Sequence, residues 1–419
     1  MLSRVRDPAT RVVYTAALLV GTGYGVSIAL TALRLNALGF GKPAIGSLAA
    51  VFAGGIVVAA LPMAAVVQRL SAKTVLVASL AGYAACVGVF PFLESATTIA
   101  AARFLDGVCS VATWICFETV LLRRAEAHRK AYVMSLYAVA VALGYLMGPL
   151  LAKGIVALAP MQTAFLASSA LAGAAALVVA LRLDRASAEQ AIAGAVPAGE
   201  RAAPETPRLS TLEVLRRVRT SLFGTFAYGY FQASVVLFLP LYLIEQKHVP
   251  ESRTILLPAF FAAGMLLFSN YAGKVGDRIG HLRTMRVLAT VGAAMVAGFV
   301  WLESWPLMCA AIFVAGATLA SISPVSLALQ GVAVDAASYG RANSFYNALY
   351  AAGMLLGPPI SSLCFARFGG GAMLGHLAAL WVAFILFTVV FWRDDPAAAR
   401  RERGAGAVSP VMSGRTTVE

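Results

Sequence analysis

The chain has 419 residues, of which 60% are hydrophobic and only 12% are charged. A soluble domain carries about twice that charged fraction, so the composition excludes an ordinary soluble protein. The formal net charge is +14, which would suit a nucleic-acid partner unless the basic residues serve another purpose.

The apolar residues form long runs, and a helix needs about 20 such residues to cross a bilayer about 30 Å thick. Runs of this length do not fit the short alternating strands of a membrane barrel. The sequence therefore predicts an all-α membrane protein with twelve transmembrane helices. The first run follows Arg4, Arg6 and Arg11 but is too long for a signal peptide, so we expect it to persist as the first helix. The predicted spans in chain order are 12–34, 45–67, 74–93, 97–122, 131–157, 161–182, 219–245, 253–274, 283–302, 305–333, 342–366 and 371–393.

The basic residues are concentrated on alternate connections between these spans. One side collects the N-terminus, the C-terminal tail and the long connection at 183–218. Because positively charged loops remain in the cytoplasm, we expect both termini to be cytoplasmic. The implied location is the lipid bilayer of a bacterial-type inner (plasma) membrane, and no nucleic-acid partner is expected. The opposite side carries only Arg34, Lys42, Lys153, Lys247, Arg253 and Arg367.

A helix-bending motif occurs twice. Gly144-x-x-x-Gly148-Pro149 is repeated as Gly353-x-x-x-Gly357-Pro358, at an offset of 209 residues (357 − 148). Glycines four residues apart allow helices to pack closely, and proline bends a helix, so we expect both copies to serve packing and bending. One offset that fits several places predicts a duplication into two six-helix bundles, related by an axis along the membrane normal. The same offset relates Phe52 to Phe261, Gly55 to Gly264, Phe104 to Phe313, Gly107 to Gly316, Ser135 to Ser344 and Tyr137 to Tyr346.

The two predicted bundles occupy residues 1–182 and 219–395. Between them, residues 183–218 form a cytoplasmic linker, because residues 184–210 are rich in Ala, Pro, Gly and charge and have no apolar period. The end of this linker, around 210–218, can accommodate a short amphipathic helix. Residues 396–419 are predicted to be a disordered cytoplasmic tail.

A loop between the eighth and ninth spans resembles the loop signature of the major facilitator superfamily. The matching positions are Gly273, Asp277, Arg278, Gly280 and Arg283. Arg103-x-x-x-Gly107 resembles the family's second motif, and Gly144-x-x-x-Gly148-Pro149 resembles the motif associated with antiporters. The stretches "RFLDGVCSVATWICFE" and "ISPVSLALQ" resemble an orphan branch typified by YcaD. The resemblance implies two six-helix halves, cytoplasmic termini and transport of a small-molecule substrate by a protein without a cofactor.

The first-half copy of the loop departs from the family pattern. Gln68 stands where Asp is expected, and Ser71 stands where Gly is expected. The resemblance implies that the loop Asp latches the cytoplasmic side by meeting a helix N-terminus of the opposite half. We therefore expect Asp277 to meet the start of the fifth span near Lys130 and Ala131, and the latch to be lopsided.

The fourth span contains an acid and a base inside the membrane. At 1.5 Å per residue, Asp106 lies about halfway through the bilayer, and Arg103 lies on the same helix face. A charge at this depth costs at least ~2.5 kcal/mol, so both must face the bundle interior or water. The pair is either a structural brace or a proton or substrate site. Glu118, nearer the cytoplasm, is a further proton-coupling candidate, although pairing with Arg123, Arg124 or loop arginines is the simpler expectation.

Polar and aromatic residues recur near mid-bilayer in other spans. The candidates for the substrate cavity are Tyr24, Gln232, Tyr346, Asn347 and Tyr350. Helix–helix packing is the competing interpretation of each residue. Together they predict a mixed aromatic and polar cavity for an amphipathic or weakly polar solute.

These features predict a secondary active transporter, acting as a monomer, with proton-coupled export by antiport as the first hypothesis. Proton-linked uptake of an organic anion, with Arg103 binding the anion, is the alternative, as is a lipid or lysolipid flippase or a non-transporting sensor. The sequence has no HExxH motif, nucleophile elbow or Walker loop, so an enzyme is not expected. No metal site is expected either, since the five cysteines are dispersed as free thiols within the spans.

Overall fold

The computed structural model describes residues 7–124, 130–184, 209–334 and 336–394. Within these ranges the chain is helical without strands, and eleven segments are long and apolar enough to cross a membrane. The first half comprises α1 Pro8–Ala37, α2 Lys42–Leu70, α3 Ala72–Val89, α4 Ala96–Arg124, α5 Lys130–Val156 and α6 Met161–Arg182. The second half begins with α7 Thr211–Lys247, α8 Leu257–Ile279, α9 His281–Gly298, α10a Trp305–Leu319 and α10b Ile322–Ala333.

The last helical segment, Ala336–Val390, is 55 residues long and is interrupted at Gly369. Gly369 has φ 85° and ψ 171°, a conformation outside the helical region that glycine adopts without steric cost. The interruption divides the segment into α11 (336–368) and α12 (370–390). This break accounts for one long segment where the sequence predicts two spans.

Helix α7 begins eight residues before the predicted span at 219. The Ser210 hydroxyl accepts a hydrogen bond from the Glu213 backbone N–H at 3.2 Å, which caps the helix. The Glu213 carboxylate then accepts a hydrogen bond from Arg217 at 2.6 Å. The polar stretch at 210–218 is therefore the first part of α7 rather than a separate helix of the linker.

The predicted span 305–333 is divided between Leu319 and Ile322. Pro324 lies in the first turn of α10b, where a missing N–H costs that helix no hydrogen bond, but it could not donate to Ala320 if α10a continued without a break. The Ser321 hydroxyl donates to the carbonyl of Ala317 at 2.6 Å and satisfies a backbone group at the break. A proline inside this span predicts a kink, and the helix is interrupted at Ala320 and Ser321, although both residues keep right-handed helical dihedrals.

Close helix contacts in the first half recur in the second half at equivalent positions. In each half, two glycines on neighbouring helices face the carbonyl of a phenylalanine on the partner helix. A β-carbon at any of these glycines would clash with that carbonyl, so only glycine permits the approach. The pairs are Gly55 with Phe104 and Gly107 with Phe52 between α2 and α4, then Gly264 with Phe313 and Gly316 with Phe261 between α8 and α10a.

The two helix-bending motifs also lie at close helix contacts. A β-carbon on Gly144 would lie 2.6 Å from the carbonyl carbon of Gly21, and one on Gly148 would lie 2.6 Å from the Cα of Gly25. In the second half, a β-carbon on Gly357 would lie 2.5 Å from the Tyr230 carbonyl. Gly353 faces α7 in the same way. Both motifs therefore hold a helix pair together, α1 with α5 and α7 with α11.

The connections after α2 and α8 share an unusual backbone. Gly280 joins α8 to α9 with φ 104°, and Ser71, the equivalent residue, joins α2 to α3 with φ 75° and ψ 146°. A residue with a side chain is strained in this region by about 1–3 kcal/mol. The Ser71 hydroxyl offsets part of this strain by accepting a hydrogen bond from the Thr74 N–H at 3.3 Å.

We predict that Ser71→Gly stabilises the protein by about 1–2 kcal/mol, because replacing a helix cap with glycine costs only a few tenths. The measurement is the midpoint of thermal unfolding in detergent at a fixed scan rate. Gly280→Ser is the matched control and should lower the midpoint. A lower midpoint for Ser71→Gly would contradict the strain argument.

We call the end of the bundle that carries Asp7 and Asp394 the termini end. There Arg124 at the end of α4 donates two hydrogen bonds to Asp7, at 2.5 and 2.7 Å. Burial raises the pKa of the Asp7 carboxyl, but the hydrogen bonds from Arg124 and Thr10 outweigh it and hold that pKa below its usual value. Arg219 likewise binds Asp394 at 2.8 and 2.9 Å. These ion pairs fasten helices within one half.

The two halves meet at the opposite end, which we call the far end. The Lys42 ammonium lies 2.8 Å from the Glu245 carboxylate and 4.7 Å from the centre of the Phe365 ring, so it joins α2 to both α7 and α11. Gly46, one turn into α2, packs against α11, where a β-carbon would lie 2.7 Å from the Pro358 carbonyl. The far end is therefore closed between the halves.

The halves separate toward the termini end. Ala138 of α5 and its repeat equivalent Asn347 of α11 are both exposed. Each helix also has an exposed leucine on the side that would face lipid, Leu143 on α5 and Leu356 on α11. Ala138 and Asn347 lie on the opposite side of their helices. Exposure on this other face indicates a gap between the halves. The bundle is closed at the far end and open at the termini end.

Candidate functional site

The acid and base predicted in the fourth span form one compact unit on α4. Arg103 Nη1 lies 2.5 Å from Asp106 Oδ2, and Ser110 Oγ donates to Asp106 Oδ1 at 3.2 Å. Asp106 is only 6% exposed. The Arg103 guanidinium lies 4.3 Å from the centre of the Phe52 ring on α2, within the range of a cation–π contact. The buried carboxylate is thus neutralised and hydrogen-bonded within its own helix.

A small polar cavity borders this unit on the far-end side of the first half. It has a volume of about 10 Å³, and its lining includes Arg103, Asp106, Ser27, Thr31 and Cys86. This volume matches a single water molecule, and the polar lining offers the partners that a buried water requires. Asp106 therefore has a neighbouring site at which a proton donor or acceptor could stand.

Beside the ion pair, aromatic rings from four helices surround Tyr24. Its ring stacks on Tyr83 at 5.4 Å and meets Trp114 and Tyr145 edge-on at 6.0 and 5.9 Å. Tyr83 is buried, whereas Tyr24, Trp114 and Tyr145 are half-buried. The three half-buried rings come from α1, α4 and α5, so the first half presents an aromatic wall toward the second.

The second half contributes rings at the same level. The Tyr350 hydroxyl of α11 donates to Gln232 Oε1 of α7 at 2.8 Å, and its ring lies 6.1 Å from that of Tyr228. Tyr145 of the first half is an electrostatic neighbour of both Tyr350 and Tyr228. The rings of both halves therefore approach each other across the gap. We call Tyr24, Trp114, Tyr145, Tyr228 and Tyr350 the aromatic site.

The predicted cavity residues do not all converge on this site. Tyr24, Gln232 and Tyr350 belong to it or touch it. Tyr346 is only 5% exposed, and its hydroxyl lies 2.9 and 3.1 Å from the hydroxyls of Ser323 and Ser326, so it packs α11 against α10b. Asn347 is exposed nearer the termini end, and its side-chain amide donates to the Asn343 carbonyl at 3.0 Å.

Among the described residues, Glu118 pairs with neither Arg123 nor Arg124, the two partners on its own helix that the sequence suggests. Arg124 binds Asp7 instead, and within the described residues Glu118 has no ion-pair partner. Its side chain is exposed. Glu118 follows Trp114 by four residues, one helical turn, so it lies on the same face of α4 and closer to the termini end. Between the aromatic site and the open end there is therefore a carboxylate that no basic residue of the described part of the chain pairs with.

The loop motif of the second half lies at the termini end and outside the aromatic site. Asp277 is exposed, and its Oδ1 lies 3.1 Å from His281 Nε2 of the same half. Arg278 and Arg283 are exposed, and Gly273 borders open space. The side chains of Gln68, Lys130 and Ala131 lie outside the described residues. Contact between Asp277 and the start of α5 stays a prediction.

Sequence reasoning missed Trp114 and Tyr145 in the first half and His376 in the second. His376 of α12 lies 3.3 Å from the Tyr230 hydroxyl and 3.2 Å from the Ser361 hydroxyl, joining α12 to α7 and α11. A signal for Trp114 was present, since Arg103, Ser110, Trp114 and Glu118 follow each other at intervals of seven, four and four residues. That spacing puts all four on one helix face.

The described residues contain no group of three or more His, Cys, Asp or Glu side chains that could hold a metal ion. The five cysteines are free thiols. The groups that this site presents to a ligand are carboxylates and aromatic rings.

Fold and site together define an all-helical, multi-pass membrane protein with a central site between two halves. The family model described as the Major Facilitator Superfamily matches residues 13–305 and 221–417. The chain belongs to this superfamily of transporters and is not an enzyme.

Curated relatives agree with the family. The chain is 22% identical over 284 residues to YcaD of Salmonella dublin, an uncharacterized transporter of this type, a match covering 68% of this chain and 70% of the relative. It is 24% identical over 295 residues to another such transporter from Yersinia pestis, covering 70% and 72%.

Among solved structures, a mutant of the nucleoside transporter NupG matches with a TM-score of 0.74 at 13% identity, over 91% of this chain and 99% of that one. A bacterial homolog of the human lysosomal transporter Spinster, inward-facing and occupied, matches with a TM-score of 0.69 at 14% identity, over 92% and 97%. At such identities the likeness shows a shared fold alone.

Proposed function

We propose that this protein is a proton-coupled secondary transporter that exports a small amphipathic or weakly polar solute by alternating access. The observation that carries the proposal is the buried Arg103–Asp106 pair beside the aromatic site, in a bundle closed at one end and open at the other. A buried ionisable pair inside a membrane is costly and is typical of substrate or proton pathways.

The proposed topology has twelve crossings in two pseudo-symmetric bundles, with both termini in the cytoplasm of a bacterial-type inner membrane and the protein acting as a monomer. The break at Gly369 supports two crossings in the last segment, and the repeated glycine contacts support the symmetry. The arginine-rich connections support a cytoplasmic termini end. The bundles proposed at 1–182 and 219–395 flank the linker at 183–218, although α7 begins at Thr211 within that linker, and the tail is 396–419.

In this proposal the halves rock around the central site. The helix pairs α1–α5 and α7–α11, held by the two glycine motifs, move as rigid units. The opening at the termini end closes when the Asp277 loop meets the start of α5, and the far-end contacts then separate. Asp106 takes a proton from one side and releases it to the other as the site changes its exposure.

We predict that Asp277→Asn weakens cytoplasmic closure by about 0.3–1 kcal/mol, because it removes an anion from a helix N-terminus. Gln68→Ala is the matched control and should change closure little, since a neutral amide makes the weaker contact. Distances between spin labels across the cytoplasmic face measure the population of the closed state. Equal effects of the two substitutions would count against the latch.

Two other functions compete with export. Proton-linked uptake of an organic anion would use Arg103 to bind the anion. A lipid or lysolipid flippase would use the gap between the halves. The decisive measurement is solute transport in proteoliposomes with and without an imposed pH gradient. Outward transport against inward proton flow supports export. Uptake of anions together with protons, or lipid scrambling without solute transport, would replace it.

A further inference from the structure

The positive charge of Arg103 is neutralised by contacts within the protein. Its guanidinium pairs with Asp106 at 2.5 Å and lies over the Phe52 ring at 4.3 Å. Binding an organic anion at this position would require the arginine to leave its carboxylate partner, whose burial makes an unpaired charge costly. The pair therefore contributes no net charge to a ligand beside it.

Among the described residues near the site, the charge without an ion-pair partner is negative. Glu118 lies one turn from Trp114 on α4, is exposed, and has no ion-pair partner among the residues that the structure describes. Other basic residues of the first half, such as Arg69 and Arg124, lie at the ends of their helices. A ligand at the aromatic site therefore meets a carboxylate and not an available base.

The rest of the site is made of ring faces and edges. Tyr24, Trp114, Tyr145 and Tyr350 are half-buried, so each ring keeps part of its surface open toward the gap. The Tyr350 hydroxyl is held by Gln232, which fixes the ring in place. Aromatic rings attract cations through their electron-rich faces, and a group of rings around one space is the usual way in which proteins bind organic ammonium ions.

We infer that the substrate is an amphipathic organic cation, bound by the rings of the aromatic site and drawn in from the open end by Glu118. This inference rests on the proposed transport function and names its substrate class. It separates the two leading functions, because a cation suits export in exchange for protons whereas an anion would need Arg103. Cation and proton would then be exchanged across one site whose net charge is negative.

The test is equilibrium binding of two ions of nearly equal size and opposite charge, tetraphenylphosphonium and tetraphenylborate. Binding is measured with the purified full-length protein in detergent, with protein-free micelles as the blank. We expect tetraphenylphosphonium to bind at least tenfold more tightly than tetraphenylborate. Equal binding, or preference for the anion, would overturn the inference.

Two pairs of variants assign the preference to named residues. Glu118→Gln should weaken tetraphenylphosphonium binding about tenfold, whereas Glu303→Gln, an exposed acid at the far end, should leave it unchanged. Tyr350→Leu should weaken binding about fivefold, and Tyr350→Phe, which keeps the ring, should change it less than twofold. Binding that does not respond to Glu118→Gln and Tyr350→Leu would place the cation elsewhere and overturn the inference.

Binding and transport fail independently in this design. If tetraphenylphosphonium binds through Glu118 and the rings but is not moved under a pH gradient in proteoliposomes, the substrate class stands and proton-coupled transport is wrong. If the protein transports other solutes under the gradient but prefers tetraphenylborate, transport stands and the cation class is wrong.

Discussion

Asp106→Asn should abolish transport driven by a pH gradient, with a loss of at least about 100-fold. Asparagine has nearly the same shape and still bonds Ser110, but it cannot take up or release a proton. If Asp106 carries the coupled proton, the pH gradient can then no longer drive transport, because the variant has no group that binds this proton. The measurement is solute flux into proteoliposomes at a fixed pH gradient, compared with solute exchange at equal pH, which the substitution should affect far less.

The control for this variant addresses the charge that it leaves behind. Asp106→Asn strands the Arg103 guanidinium in a buried position, and removing one partner of a buried pair costs about 3–5 kcal/mol. The double variant Arg103→Met with Asp106→Asn removes both charges and should recover most of this stability. Loss of gradient-driven flux in both variants assigns the proton to Asp106. Normal flux in either one would make the pair a structural brace and leave Glu118 as the next candidate.

Close helix packing could be predicted from the sequence, because the glycines that permit it recur at a fixed offset in both halves. The repeats at Gly55 and Gly264, and at Gly144 and Gly353, mark backbone contacts that no other residue permits, so the pattern indicates where helices pack closely, while the structure supplies the partner helix. The burial of Asp106 was also predictable, since a charge far from both ends of a membrane helix must face the bundle interior or water.

Side-chain partners were less predictable. The spacing of residues shows which of them share a helix face, but it does not show which other helix packs against that face. Tyr346 and Tyr350 are both tyrosines, four positions apart on one helix. The hydroxyl of Tyr346, however, lies within hydrogen-bond distance of two serines of α10b, so Tyr346 does not line the cavity. The sequence predicts that Glu118 can pair with Arg124. In the structure Arg124 instead binds Asp7, which is 117 residues away from it in sequence. Local spacing could not reveal either competitor.

Gly46→Leu should open the far end. A β-carbon at this position would lie 2.7 Å from the Pro358 carbonyl and 2.7 Å from the Ser362 hydroxyl, so a leucine must push α2 away from α11. Overpacking of this kind costs about 1–3 kcal/mol, which shifts a two-state equilibrium by roughly 5- to 150-fold. The closed far end is the state that bears this cost, since the contact separates when that end opens.

The measurement is the distance between spin labels at Leu158 and Glu303, which are exposed on opposite halves at the far end, in a background without the five native cysteines. Gly46→Leu should add a population at longer distance. Gly54→Leu on the same helix is the control, because no atom lies within 4 Å of a β-carbon there, and it should leave the distances unchanged. If the halves rock as rigid units about the central site, the opening should draw the termini end closed and bring Asp277 toward α5. Far-end opening without termini-end closure would mean that the halves do not rock as rigid units, and unchanged distances would mean that the α2–α11 contact does not hold the far end shut.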